Sequence, residues 1–309
     1  MRTQEQRLLN AVQRPEVYEQ VLIESRGVPI ALSIWKGNPG APCIVFLPGT
    51  MTHPLFYEEL LDGLALAGYN VVGVHFQGHG KSPRVDQLFS FNDLVQNGRD
   101  AISYAAERFR SPIVVLGSSQ GGMIATSLAS ADDRIAAVFA HNIIDPQMAD
   151  AMRITRFPPW LRPLRRAIVR TMNVVARRAP RIPVPLRFYL QEERIFRTDW
   201  ALEQYLRDPL KLTSYPLYFL ASLFSANMRF LHSGQIRSPV VVIASTGDPL
   251  FPFDAIQRIY QQIKAPSKEL LVFDLNYHLL FNGCLDEVMP RLLETLEKYK
   301  GKQAPEASA

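Results

Sequence analysis

The sequence holds two cysteines, Cys43 and Cys284, in 309 residues. Two cysteines supply neither a disulfide framework nor the spacing of a zinc site, and they suit a reducing compartment. Long apolar runs are also missing: the longest, around residues 215–224, is too short to cross a bilayer. The first twenty residues contain no apolar stretch of the kind a secretory signal needs, so the expected location is cytoplasmic. Phosphate-binding glycines are absent where they would be required. Gly80-Lys81-Ser82 resembles the end of a P-loop, but that motif's first glycine would fall at His75, and Gly78-x-Gly80 meets Pro83 where a third glycine belongs. His75 and His79 stand four apart, yet glycines break any helix there and no carboxylate completes a metal site. No cofactor and no metal are expected, and there is no internal repeat.

Lysine and acidic residues are absent from one block where arginine is dense. Residues 151–190 carry ten arginines, and these leave the remainder of the chain at −5 within a net charge of +5. Over 161–178, Arg162, Arg165, Arg166, Arg170 and Arg177 fall on one side of a helical wheel, and Leu161, Leu164, Ile168, Met172 and Val175 on another. That is a basic amphipathic helix. Two readings stand open: a solvated face over a local core, or a surface helix resting on anionic lipid, which would make the protein peripheral at the membrane. Nucleic acid is not expected, because lysine is missing from the block and no recognised binding module accompanies it.

What is present is a globular composition, 47% apolar and 20% charged, on a chain long enough to bury a sizeable core. A polar helix or arm is expected over 1–16, then a hairpin of strands over 17–24 and 28–35 joined by Ser25-Arg26-Gly27. Continuous apolar runs at 43–47, 71–74, 113–116, 135–140, 240–244 and 269–273 read as strands buried on both faces of a sheet. Helices are expected over 54–67, from a cap at Asn92 or Asp93 to 109, after 122, over 253–263 and over 285–299. Between 145 and 235 the alternation stops, proline becomes frequent and the apolar residues take helical spacing, which reads as an inserted helical cap. Repeated β–α units predict an α/β fold, a mostly parallel sheet with helices on both faces and function at the carboxyl ends of the strands.

The stretch at one such end is Gly117-Ser118-Ser119-Gln120-Gly121-Gly122, a G-x-S-x-G turn between an apolar strand and a small-residue helix. This nucleophile-elbow pattern holds a serine hydroxyl above the sheet. A serine needs a base, and the base an orienting anion, in the chain order Ser, acid, His. Asp248 follows the strand at 240–244 and His278 the strand at 269–273. Taken singly, Asp248 reads equally as a turn residue before Pro249 and His278 as a core histidine. Together with the elbow they favour a triad of Ser119, His278 and Asp248, with Asp145 as the second choice of acid. An oxyanion requires two donors: the Gln120 N–H is one, and the loop after the strand at 43–47 offers Thr50, with Met51 second. His53 and His141 also lie on strand-end loops.

The segments Leu47-Pro48-Gly49-Thr50, Gln77-Gly78-His79-Gly80-Lys81-Ser82, the elbow, Gly247-Asp248 and Tyr277-His278 resemble the α/β-hydrolase superfamily, in its monoacylglycerol lipase and serine aminopeptidase-like branch. The resemblance covers about 20–145 and 236–298. Where that branch usually has His-Gly in the first loop this chain has Pro48-Gly49, and Phe76 replaces the usual aspartate of the second. The resemblance implies an α/β-hydrolase core, here over 1–144 and 236–300; the change of pattern puts the cap at 145–235, and the tail over 301–309 is expected to be disordered. The resemblance also implies a serine hydrolase of lipophilic, acylglycerol-like esters. A thioesterase, an amidase or peptidase, or a carbon–carbon bond hydrolase on the same triad is the alternative, and a binding protein without activity the third. Aromatic residues of the insertion (Phe157, Trp160, Phe188, Tyr189, Trp200, Tyr205, Tyr215, Tyr218 and Phe219) are expected either to line an acyl pocket or to fill the cap's own core.

Overall fold

A computed structural model describes residues 10–196 and 199–301. Of the helix or arm expected over 1–16, positions 1–9 lie outside the described residues, and 10–16 run as turns and irregular chain. The tail beyond 301 also lies outside them.

The chain opens with β1 (Tyr18–Ser25) and β2 (Val28–Trp35), an antiparallel hairpin in full register from Tyr18–Trp35 to Ser25–Val28. Its turn places Arg26 at φ 50° and Gly27 at φ 74°, both left-handed, which matches the twist of the flanking strands. Then follow β3 (Cys43–Leu47), α1 (Glu58–Leu66), β4 (Asn70–His75), α2 (Phe91–Phe109), β5 (Ile113–Ser118), α3 (Gln120–Ala129) and β6 (Ile135–His141). Two expectations shift locally. The helix expected from 54 begins as a 3-10 turn, Pro54–Tyr57, and becomes α-helical at Glu58. The cap of α2 is Ser90, not Asn92 or Asp93: its hydroxyl accepts the Asp93 N–H at 3.3 Å while the Asp93 carboxylate accepts the Ser90 N–H at 2.8 Å. Asp93 is therefore the second half of a capping box.

After β6 the chain leaves the sheet. It forms 3-10 turns Ala149–Ile154 and Pro159–Leu164, α4 (Arg165–Arg178), β7 (Pro183–Pro185), α5 (Glu192–Ile195), α6 (Asp199–Leu206), β8 (Ser214–Pro216), α7 (Leu217–Phe224) and α8 (Phe230–Ser233). It returns as β9 (Val240–Ser245), α9 (Phe253–Gln262), β10 (Lys268–Phe273), α10 (Leu280–Gly283) and α11 (Leu285–Glu297). The antiparallel pair β7–β8 runs opposite to the helical expectation for this insertion; its prolines read as breakers, yet a two-stranded ribbon has open edges that tolerate them.

The sheet has eight strands in the order β1-β2-β4-β3-β5-β6-β9-β10. From β4 to β10 every pairing is parallel. Strands β3, β4, β5, β6 and β9 are buried at every residue, which explains their unbroken apolar runs. From β3 the chain continues outward to β4, and from β5 it continues the other way to β6. The loops after β3 and β5 thus diverge from neighbouring strands and open a crevice at the strand ends.

The insertion's second half is fastened beside that crevice. His53 Nε2 and Asp208 Oδ2 lie 2.6 Å apart with side chains 0% and 1% exposed. The Leu212 N–H donates to the Met51 carbonyl at 3.2 Å, and the Gln204 amide to the Phe56 carbonyl at 3.0 Å. Asp208→Ala leaves a buried imidazole nitrogen without its acceptor. The expected cost is about 2–3 kcal/mol in the urea-unfolding free energy, and an unchanged midpoint would contradict this account.

Candidate active site

The elbow depends on contacts that admit no side chain. A Cβ on Gly121 would overlap the Leu47 carbonyl oxygen, and one on Gly117 the Gly121 carbonyl. Gly122 meets the His141 and Asn142 carbonyls in the same way. Only glycines allow α3 to start this close to β3, β5 and β6. Ser119 sits at φ 53°, ψ −115°, a conformation rare for residues with a side chain, and its N–H donates to the His141 carbonyl at 2.8 Å.

Ser119, Gln120, Thr50 and His278 line one cavity. It encloses about 830 Å³, part of it open to solvent. Most of the remaining wall is apolar and comes from the insertion and the loop after β9, including Ile154, Leu186, Leu190, Phe196, Leu223 and Phe251. Of the aromatic residues singled out above, Tyr189 lines it and Tyr205 backs it by stacking on Phe196 at 4.4 Å. Tyr215 and Phe219 are buried elsewhere, and Trp160 and Phe188 are exposed. Trp200's side chain lies outside the described residues.

Asp248 and His278 meet. The His278 Nδ1–H donates to Asp248 Oδ2 at 3.0 Å, and the ring stacks on Phe251 with centroids 5.3 Å apart and planes 5° apart. Asp248 Oδ1 accepts the backbone N–H groups of Leu250 and Phe251, each at 2.8 Å. Burial pushes this carboxyl up, but the His278 charge and hydrogen bond, with the Phe251 N–H, outweigh it and hold the group below the ordinary 3.8. A carboxylate that only accepts fixes the proton on Nδ1, so the Nε2 of a neutral ring is free to act as a base.

Asp145, the alternative acid, is not beside His278: it accepts the Gln147 N–H at 2.8 Å and lies 3.9 Å from His232. Met51, the alternative donor, is already engaged, because its N–H donates to the Tyr215 hydroxyl at 2.8 Å. The Gly49 N–H likewise donates to the Tyr57 hydroxyl at 3.3 Å. The Thr50 hydroxyl donates to the Gln120 side-chain carbonyl at 3.1 Å, tying the loop after β3 to the start of α3. Gln120 is the first residue of α3, so no turn of that helix claims its N–H.

Asn142 was not singled out by the sequence. It is buried at φ 61°, and its amide donates to Asp248 Oδ2 at 2.9 Å and to His141 Nε2 at 3.0 Å. His141 lies beneath the site, with its Nδ1 3.3 Å from the Ser118 hydroxyl. Burial first, and the His278 charge second, lower its pKa to about 3. His53 is engaged with Asp208 and is absent from the cavity wall. Among the described residues no group of three His, Cys, Asp or Glu side chains is placed to hold a metal ion.

An eight-stranded, mostly parallel sheet with flanking helices and a serine on a strand–turn–helix elbow defines the α/β-hydrolase fold. Residues 39–284 match the model of the serine aminopeptidase S33 family, and the chain belongs to that family. A search of curated proteins found no match. Among solved structures, the chain is similar to a monoacylglycerol lipase of Paleococcus ferrophilus, with TM-score 0.70 and 23% identity over 87% of this chain and 99% of that one. A soluble variant of the Saccharomyces cerevisiae monoglyceride lipase, in complex with a substrate analog, gives TM-score 0.71 and 15% identity over 93% and 97%. A Pyrococcus furiosus esterase gives 0.63 and 17% over 96% and 98%.

Burial dominates the acid response of three rings. It holds His79 and His141 at about 3 and His75 well below 6.5. Their folded values lie under the unfolded one, so the unfolded chain binds the extra protons and stability falls as pH drops below about 6.5. The expected slope is about 1.4 kcal/mol per pH unit for each ring while it stays neutral in the fold, continuing toward pH 3 for His79 and His141. Asp248 adds a loss only below the carboxylate range, since its folded value is depressed. Urea titrations at pH 7, 6 and 5 check this, and equal stabilities at the three would refute it.

Proposed function

We propose that the protein is a serine hydrolase of lipophilic carboxylic esters. The observation that carries this reading is a single apolar cavity whose wall contains Ser119 and His278, the latter hydrogen-bonded to Asp248, together with Thr50 and Gln120. In this reading Ser119 Oγ attacks the ester carbonyl while His278 Nε2 takes its proton. Asp248 orients the ring and stabilises its charged form. The Thr50 and Gln120 N–H groups hold the oxyanion. Collapse of the tetrahedral species breaks the bond to the alcohol, which leaves with the proton from His278. Water, losing a proton to His278, then attacks the acyl-enzyme, and the second collapse releases the acid and restores Ser119. The lipase and esterase names of the similar structures support the substrate class without fixing it.

Ser119→Ala is expected to lower kcat on p-nitrophenyl butyrate by at least about 10⁴-fold with an unchanged melting temperature. Wild-type protein should bind one fluorophosphonate per chain. Retained turnover in the variant would reject the triad. A panel of matched ester, thioester, amide and carbon–carbon substrates in which the ester is not preferred would move the protein to the alternative class.

We also propose contact with anionic membrane, in line with a peripheral location. Of the two readings of this helix, the packing of α4 on α7 with Met172 against the core fits a solvated face over a local core, while the exposure of Leu164, Val174 and Val175 at 49%, 44% and 40% leaves apolar surface for a lipid layer. Among the described residues, Arg166, Arg170, Arg177 and Arg178 form none of the ion pairs found elsewhere on the surface. Trp160 and Phe188 are 70% and 63% exposed, on segments adjoining the cavity residues Ile154 and Leu186. Basic and aromatic groups on segments that adjoin an apolar cavity in the chain suit a lipid headgroup layer. Co-sedimentation with phosphatidylglycerol vesicles is expected, weakening with salt and lost in an Arg166→Glu, Arg170→Glu variant. Equal binding to neutral vesicles would argue against it. Among the described residues no helix is long and apolar enough to cross a membrane.

A further inference from the structure

We propose that Tyr215, contributed by the insertion, is a positioning residue for the oxyanion loop: its hydroxyl, aligned by His79, holds the Met51 N–H so that the neighbouring Thr50 N–H stays directed at the reacting carbonyl oxygen. The inference rests on the serine-hydrolase reading above and adds to it a role for a residue far from the triad in sequence.

The hydrogen-bond directions can be worked out from acceptors alone. His79 Nδ1 lies 2.9 Å from the Gln77 carbonyl oxygen, which can only accept, so Nδ1 carries the ring proton. Burial lowers the His79 pKa to about 3, so the ring is neutral and Nε2 is an acceptor. Tyr215 Oη lies 2.8 Å from that Nε2 and must donate to it. The hydroxyl oxygen keeps its lone pairs for two donors, the Met51 N–H at 2.8 Å and the Gln120 side-chain amide at 3.5 Å. A single proton order thus runs from His79 through Tyr215 to the loop and to the first residue of α3.

The consequence falls on Thr50. On one side the Gly49 N–H is taken by Tyr57, and on the other the Met51 N–H is taken by Tyr215. Among the described residues no acceptor takes the Thr50 N–H, which lies between these two tethers. Met51 holds φ 58°, so the peptide following Thr50 is turned into a conformation that a side chain disfavours and that needs outside support. Tyr215 can supply that support because it is held on several sides. It is 0% exposed, pairs with Val184 in the β7–β8 ribbon, and packs on Phe219 with centroids 4.3 Å apart. The Leu212 N–H to the Met51 carbonyl adds a second tie from the same stretch of the insertion. After Pro48-Gly49, hydrogen bonds from the insertion supply the hold on this loop.

Tyr215→Phe keeps the ring and removes the hydroxyl. With p-nitrophenyl butyrate the expected result is a ten- to hundredfold fall in kcat with KM within threefold. Affinity for a boronic acid that forms a tetrahedral adduct on Ser119 should fall by the same factor as kcat. The acid limb of the pH profile should not move. His79→Leu removes the acceptor that aligns the hydroxyl and should lower kcat in the same range. The double variant should be no worse than the poorer single one, because both act through one chain of bonds. Should Tyr215→Phe fail to fold, His79→Leu carries the test alone. A lower melting temperature with wild-type kcat and boronate affinity would overturn the proposal and leave Tyr215 as a packing residue. The parent reading fails separately: it falls if wild type takes up no fluorophosphonate or if Ser119→Ala keeps its turnover, whatever Tyr215→Phe does.

Discussion

The close approach of α3 to the strand ends governs the geometry of everything else at this site. Three glycines bring backbone against backbone: Gly121 on the Leu47 carbonyl, Gly117 on Gly121, and Gly122 on the carbonyls of His141 and Asn142. With the helix that near, the residue between strand and helix has no relaxed conformation open to it, and Ser119 takes φ 53°. The cost of order 1–3 kcal/mol is borne by the parallel ladder on both sides of β5. Strain here follows from packing, and the placement of Ser119 in the cavity wall follows from strain.

Two hydrogen-bond centres of opposite character flank that serine. Around Asp248 the charge is real: one carboxylate gathers two backbone N–H groups, the Asn142 amide and the His278 imidazole. Its four acceptor positions are filled, so it has little freedom to rotate, and neither does the ring it holds. Around Tyr215 every group is neutral. Neutral bonds buried together set direction without the desolvation cost of an ion pair, which suits a loop that in the proposed reaction would present a dipole to a transient charge. His141 and His79 have matching places behind these centres, both neutral through burial and both fixed in one tautomer by their neighbours.

The sheet was readable in the sequence because strands buried on both faces leave unbroken apolar runs, and their predicted limits fall within one or two residues of those observed. Ser119, Asp248 and His278 stood out because strand-end loops, chain order and the two flanking glycines restrict where such chemistry can sit. Other features were hidden for physical reasons. Ser90 was passed over as a cap because Asp93, its partner in the box, carries the same signal three residues on. Asn142 follows a strand as any turn residue would, and only its left-handed φ and its aim at Asp248 distinguish it. Tyr215 reads in the sequence as an aromatic of either the pocket or the cap's own core, because composition shows an apolar ring and cannot show where a hydroxyl points. The reach of the insertion into the core, through Asp208 and Tyr215, joins residues 155 and 136 positions from their histidine partners. No local pattern records a pairing of that span.

The fastening of the insertion is lopsided. Its later stretch is tied to the core through groups shielded from water: the His53–Asp208 pair, the Leu212–Met51 bond and the Tyr215 hydroxyl. Its earlier stretch is tied through partly exposed ion pairs, Arg153 with Asp254 and Asp150 with Arg258. Pairs of the second kind contribute little and weaken with salt, while shielded bonds are costly to break. The cavity therefore has one wall set like a door jamb and one that hangs more freely, and the freer wall is the side that bears the arginines.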